Sequence, residues 1–179
     1  LPKVLSMGRQ IASALAAAHN KGIVHRDVKL DNVMLVPDAE AAGGERIKIL
    51  DFGIAKLAPA SDVDGVRTST HLIFGTPAYM APEQCRGAGQ VDDRADVYSL
   101  GIVLYELLVG RRPFLGSSSG ELMGQHLFME PPALAQMLPG VPAALDGLVA
   151  KLLCKDREQR PRMAEVARQL ADLGELYNS

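Results

Sequence analysis

His25-Arg26-Asp27-Val28-Lys29-Leu30-Asp31-Asn32 is the stretch whose reading organises the rest of the chain. A turn signal, Asn20-Lys21-Gly22, and two β-branched residues, Ile23 and Val24, precede it; the apolar run Val33-Met34-Leu35-Val36 follows. A dense polar octet is therefore expected in a loop pinned between two short buried strands. Chemically active groups are commonly mounted that way, on a loop held by a rigid scaffold. A charged surface turn is the plainer reading of the octet alone, and the flanking sequence has to decide between them.

The bulk numbers narrow the classes. At 179 residues the chain suits one domain with a real core. A hydrophobic content of 47% with a net charge of only -2 is a globular composition. That balance gives no reason to expect nucleic acid or a membrane surface as partner. Cys85 and Cys154 stand far apart and in no ligand spacing, so neither a disulfide framework nor a zinc site is indicated, and a reducing compartment fits. The most apolar run, Leu100 to Val109, contains Glu106 and falls short of the roughly 20 residues a membrane span needs. No signal-peptide layout is found at the start.

Upstream of the octet, Val4, Met7, Ile11, Leu15 and Ala18 recur at helical steps, which predicts a helix from about residue 3 to 21 with Gly22 as its C-terminal cap. His19 falls in its last turn, where a cation suits the helix dipole. Downstream, Val33–Val36 and Ile47, Ile49 and Leu50 read as two strands of a hairpin joined by the turn-rich stretch 37–44. Asp51-Phe52-Gly53 closes that hairpin and so returns a carboxylate close to Asp27 and Asn32. From Ile54 to Ile73 periodicity is lost in a segment rich in Asp, Ser, Thr, Ala and Gly. Then comes Gly75-Thr76-Pro77-Ala78-Tyr79-Met80-Ala81-Pro82-Glu83.

Asp93 to Gly110 predicts a helix that is apolar all round, with Val97, Leu100, Ile102, Val103, Leu104, Leu107 and Leu108, and such a helix runs through a core. Tyr98 and Tyr105 read as packing residues. Shorter helices are expected at about 120–128, 142–154 and 161–176, separated by Pro131-Pro132 and Pro139. Met123, Met129, Met137 and Met163 read as gap-fillers. The last polar cluster is Lys155-Asp156-Arg157-Glu158-Gln159-Arg160-Pro161.

Taken in order, the octet, the Asp-Phe-Gly triplet and the Ala81-Pro82-Glu83 loop resemble the motifs of protein kinases, at compatible spacings, and the resemblance extends from Leu1 to about Leu176. It implies a mainly α fold with a small β-hairpin, the larger, C-terminal lobe of a kinase over 1–176, with a catalytic loop at 25–32, an activation segment at 51–83 and a tail at 177–179. It implies that Asp27 accepts the proton of a substrate hydroxyl, that Lys29 faces the moving phosphoryl group, and that Asn32 and Asp51 hold a magnesium ion. Such a hard cation takes oxygen ligands, one or two of them protein carboxylates. Met34 then forms the apolar floor under the adenine, supported by Val103 and Leu107, and Leu50 lines the back of the site; plain core packing describes these residues equally well. Thr76 hydrogen-bonds the Asp27–Lys29 pair, and Lys29 together with this loop favours serine and threonine acceptors. Asp96 binds the backbone around His25, and Glu83 pairs with Arg160. Phe52 belongs to the same regulatory frame. Thr68, Ser69 and Thr70 are the candidate phosphosites, with Arg26 as the partner of the phosphate. Leu30 departs from the family, where many members carry proline.

The cofactors implied are ATP and Mg²⁺, or Mn²⁺ in its place, and the partners are proteins presenting Ser or Thr. No glycine-rich phosphate loop, strand lysine, partner glutamate or hinge precedes the first helix. The expectation is therefore a large lobe whose N-terminal lobe is absent, a fragment or truncated chain relying on a missing lobe or upstream domain. The cytoplasm is the expected compartment, with any membrane tether elsewhere in a full-length protein. The competing expectation is a catalytically inactive, kinase-like binding or regulatory module. Intact Asp27, Asn32 and Asp51 speak against it; the missing lysine speaks against activity of the chain by itself.

Overall fold

A computed structural model describes residues 1–41, 43–52, 76–87 and 91–177. Helix α1 is Pro2–His19, strands β1 and β2 are Val33–Pro37 and Glu45–Ile49, and the helices that follow are α2 Pro82–Cys85, α3 Arg94–Val109, α4 Ser119–Phe128, α5 Leu134–Met137, α6 Ala143–Leu152 and α7 Met163–Tyr177. The architecture is mainly helical with one two-stranded antiparallel sheet, compatible with a kinase-like fold.

Helix α3 is the axis of the core. Every residue from Ala95 to Tyr105 is buried, as its all-round apolar sequence requires. α1 and α6 lie against it, and α7 packs along α1. Gly101 lets α6 approach closely, because a Cβ there would stand 2.9 Å from both Leu152 and Leu153.

α1 ends in a Schellman turn. The amide of Gly22 donates to the His19 carbonyl at 2.9 Å and that of Ile23 to the Ala18 carbonyl at 3.0 Å, with Gly22 at φ +73, a conformation that costs a residue with a Cβ. The chain then enters the octet directly. Ile23 and Val24 form no strand among the described residues, and Ile23 is exposed. β-branched side chains suit a pleated surface, but a strand also needs a partner ladder.

The hairpin register pairs Val33 with Ile49 and Leu35 with Ile47 on the inner face, and Met34 with Lys48 on the outer face. The Ile47 amide donates to Gln10 Oε1 at 2.9 Å and fixes β2 on α1. Leu50 lies just past β2, yet its amide still donates to the Asn32 carbonyl at 2.8 Å. Two one-turn helices, α2 and α5, add to the elements read from the sequence. Met129 is corrected from gap-filler to surface residue: it sits at the C-terminal end of α4 and is 51% exposed. None of the described helices is long and apolar enough to cross a membrane.

Candidate active site

The octet is held from below by a buried carboxylate. Asp96, in the first turn of α3, is fully buried; it accepts the His25 amide on Oδ2 and the Arg26 amide on Oδ1, each at 2.8 Å. A buried carboxylate must be satisfied in this way, and the start of a helix favours its charge. Arg26 adopts φ +64, a left-handed conformation that costs a non-glycine residue on the order of 1 kcal/mol and persists only where its surroundings impose it. Its carbonyl accepts from Gln84 Nε2 at 2.9 Å, which ties α2 to the octet. Val28, buried, anchors the loop in the core.

His25 joins the two ends of the site. Its Nδ1 lies 3.3 Å from the Asp27 amide and its Nε2 3.0 Å from the Leu50 carbonyl. An amide can only donate and a carbonyl only accept, so the ring carries its proton on Nε2. The Phe52 ring lies beside it, with centroids 4.7 Å apart.

Asp27, Lys29 and Thr76 meet in one cluster. Lys29 Nζ donates to Thr76 Oγ1 at 2.8 Å and lies 3.4 Å from Asp27 Oδ2. Thr76 donates to Asp27 Oδ1 through its amide at 3.2 Å and its hydroxyl at 3.4 Å. A carboxylate, a cation and a hydroxyl are thereby fixed against each other where the loop at 76–80 passes the octet. Asn32 is buried, and its Nδ2 donates to the Asp27 carbonyl at 2.9 Å.

Asp51 stands one residue past the Leu50–Asn32 bond, at φ +52. The amide nitrogen of Asn32 is committed to Asp27, which leaves its oxygen as the donor atom. Amide and carboxylate oxygens, such as those of Asn32 and Asp51, are hard ligands of the kind Mg²⁺ takes. No group of three or more His, Cys, Asp or Glu side chains able to hold a metal occurs among the described residues. Met34 and Leu50 are 47% and 36% exposed, an open apolar surface beside these donors. Gly53, the candidate phosphosites Thr68, Ser69 and Thr70, and Gly75 lie outside the described residues.

The loop that carries Thr76 rests on α3. Tyr79 donates its hydroxyl to Glu106 Oε2 at 2.6 Å, and Ser99 Oγ donates to the Tyr79 carbonyl at 2.8 Å. Burial, and then the Glu106 carboxylate, push the Tyr79 phenol well above its ordinary value, so it stays a donor. Glu83 and Arg160 form a bidentate pair at 2.7 and 3.0 Å. Arg160 is buried and also donates to the carbonyls of Cys154, Arg94 and Lys155, so all five of its N–H groups are used. The Cys85 thiol is pushed up to about 11, chiefly by burial, and offers no thiolate nucleophile at neutral pH.

Sequence reasoning missed a second buried cluster beneath this loop. Lys155 Nζ donates to the Tyr98 hydroxyl at 3.4 Å, and Tyr98 lies 3.0 Å from His126 Nδ1. Lysine can only donate, so the Tyr98 hydroxyl accepts from Lys155 and keeps its own proton available for Nδ1. Burial, with the Lys155 cation second, pushes His126 down to about 4. The Ala78 and Pro77 carbonyls act the other way, but neither closes a hydrogen bond of normal geometry, since Nε2 has no partner.

The folded chain therefore binds fewer protons at His126 than the unfolded chain between about 4 and the ordinary 6.5. Its stabilising contribution is complete above 6.5 and is lost as pH falls toward 4, on the order of 2–3 kcal/mol. Urea melts at neutral pH and at the acid end of that window check this, with His126→Gln showing a smaller loss than the parent. Equal losses in both proteins would remove His126 as the cause.

This geometry can be set beside known proteins. Residues 3–170 match the family described as protein kinase domain, and the chain belongs to that family. Its relatives include the serine/threonine-protein kinase Pkn1 of Myxococcus xanthus, 45% identical over 88% of this chain and 22% of that protein. PkaA of Streptomyces coelicolor is 45% identical over 93% of this chain and 28% of its own length. PknL of Mycobacterium tuberculosis is 39% identical over 95% and 39%. The chain is thus a member of the serine/threonine protein kinases of the bacterial, eukaryotic-like type. It spans between about a fifth and two fifths of the length of these relatives.

Proposed function

We propose that the chain carries the acceptor side and the metal-binding side of a kinase domain that transfers the ATP γ-phosphoryl group to Ser or Thr hydroxyls of proteins. The observation that carries this reading is the Asp27–Lys29–Thr76 cluster. Asp27 orients the acceptor hydroxyl and takes its proton. Lys29, held by Thr76, places positive charge beside the transferring group. Asn32 and Asp51 hold the divalent cation, and Met34 and Leu50 offer an apolar surface to the base. Bound MgATP supplies the phosphoryl group and neutralises part of its charge.

Phosphorylation within Thr68–Thr70, answered by Arg26, is the regulation this reading carries. The compartment is the cytoplasm, where ATP is plentiful; the two free cysteines suit reducing conditions. The sequence contains no glycine-rich G-x-G-x-x-G loop to cover the phosphates. Phosphoryl transfer depends on positioning from both sides, so residues 1–179 by themselves are expected to turn over poorly.

The test compares radiolabel transfer from ATP to a Ser/Thr peptide pool by residues 1–179 alone and by the same residues joined to the nucleotide-binding lobe of a relative such as PknL. Transfer by the joined protein and little by the chain alone is expected. Normal turnover by the chain alone would overturn the large-lobe reading. A joined protein that binds MgATP without transfer would favour the inactive binding module.

A further inference from the structure

We propose that His126 is a positioning residue for the loop at 76–80, closing a hydrogen bond from its Nε2 to the Pro77 or Ala78 carbonyl when a peptide seats there. The inference rests on the kinase reading above, in which that loop receives the protein substrate, and on geometry for its substance. His126 lies in the last turn of α4, and α4 packs on the one-turn 3-10 helix Pro77–Tyr79 that follows Thr76. The imidazole is fully buried, so it is no surface cation at a helix end. The rings of Phe114 and Tyr98 meet it edge to face, with centroids 4.9 and 5.6 Å away.

Polar contacts fix how the ring is turned. Nδ1 lies 3.0 Å from the Tyr98 hydroxyl; Lys155 holds that hydroxyl from behind at 3.4 Å, with its Nζ 4.5 Å from the Phe114 ring centroid. Nε2 is buried and makes no hydrogen bond among the described residues. The backbone acceptors beside the ring are the Pro77 and Ala78 carbonyls. A carbonyl only accepts, so the tautomer that serves both sides of the ring accepts the Tyr98 hydroxyl on Nδ1 and carries its own proton on Nε2. A buried donor without a partner is costly, which favours a small shift of the loop onto the ring. Hydrogen bonds that serve a reaction are often long before substrate binds and tighten in the complex. The loop has room for this tie. Thr76 holds its start to Asp27 and Lys29, and Tyr79 holds its end to α3. Between them Pro77 has no amide hydrogen and Ala78 no polar side chain, so their carbonyls are the acceptors through which a side chain can hold this turn.

The experiment compares His126→Phe, which keeps a ring against Phe114 without a donor, and His126→Gln, whose terminal amide reproduces Nε2–H. In the joined kinase, KM for a single Ser/Thr peptide should rise about tenfold in the Phe variant, with kcat within about threefold and KM for ATP within about twofold. The Gln variant should stay within about threefold of the parent in peptide KM. Nitrogen-15 NMR of residues 1–179 should find His126 neutral at pH 7 with its proton on Nε2. Adding the peptide to the joined protein should move that proton's signal downfield, a readout that requires no phosphoryl transfer.

An unchanged peptide KM in the Phe variant overturns the inference. So does a proton found on Nδ1, which leaves Nε2 nothing to donate. A Gln variant as impaired as Phe, or an equal rise in KM for ATP, would make His126 a packing residue and overturns it as well. Should the Phe variant fail to fold, Tyr98→Phe takes its part, because it leaves the imidazole in place and removes the hydroxyl that turns it: a peptide KM raised about threefold or more is expected, and an unchanged one overturns the inference. An inactive joined parent would overturn the kinase reading, while the response of the Nε2 proton to peptide still decides this one.

Discussion

Asp27→Asn in the joined kinase is expected to lower phosphoryl transfer by about 10²–10⁴-fold, the range typical of a positioned acid–base group, while nucleotide affinity stays nearly unchanged. The geometry gives a reason for the loop to survive the substitution. Asp27 Oδ1 accepts from the Thr76 amide, and an asparagine oxygen can accept that bond equally well. The loop at 76–80 should therefore keep its place. What disappears is the negative charge beside Lys29 and the capacity to take a proton from an acceptor hydroxyl. The Asn32 tie is unaffected because it goes to the Asp27 backbone carbonyl. Steady-state kinetics with a peptide substrate and titration with MgATP give the two numbers. A variant within threefold of the parent would take Asp27 out of the mechanism; lost nucleotide binding would show that the substitution had disturbed the metal side as well.

Glu83→Ala and Arg160→Ala should each destabilise the chain by about 3–5 kcal/mol, because removing one partner leaves the other charge buried and unanswered. Arg160 has no exposed side-chain surface and Glu83 little, so solvent cannot replace the lost partner. The double replacement should cost less than the sum of the singles, since it leaves no orphan charge. Arg160→Lys should not rescue, since three donors on a point charge cannot serve a glutamate and three carbonyls arranged around a planar guanidinium. Denaturant melts of the singles and the double form the cycle. Losses under about 0.5 kcal/mol for both singles would be the behaviour of a surface pair.

Much of the fold is legible because burial has a period. The three- and four-residue apolar steps of α1 and the all-round apolarity of α3 each point to one packing solution, and two short apolar runs about a turn-rich stretch mark the hairpin. The vicinity of Asp27, Lys29 and Thr76 is legible for another reason: motif order is enough to imply that the chain returns to the octet, although the roles of these residues are still the proposal. Polar partnerships across long separations leave no periodic trace: the family resemblance implies some of them, Glu83 with Arg160 and Asp96 with the octet, and is silent on the others. Gln84 reaches Arg26 over 58 positions and His19 reaches Asp96 over 77, and no local pattern marks either. Periodicity says which side chain faces inward, never which buried donor meets which acceptor. The same limit explains His19, whose position at a helix end suggested a dipole cation while its ring answers a carboxylate of another helix. It also explains Ile23 and Val24, whose side chains suit a strand that has no ladder among the described residues.

Helix α3 carries Asp96 near one end and Glu106 near the other; the first grips the octet, the second the loop of Thr76 through Tyr79. Ten residues at about 1.5 Å each set these two grips about 15 Å apart and in fixed angular phase. The helix thus serves as a gauge block between the part of the chain that would hold the reacting proton and the part that would receive the acceptor. Substitutions along its length alter packing by degrees. A single residue inserted or deleted between Asp96 and Glu106 would instead turn one grip by about 100° relative to the other, and no side-chain adjustment could bring both loops back into register.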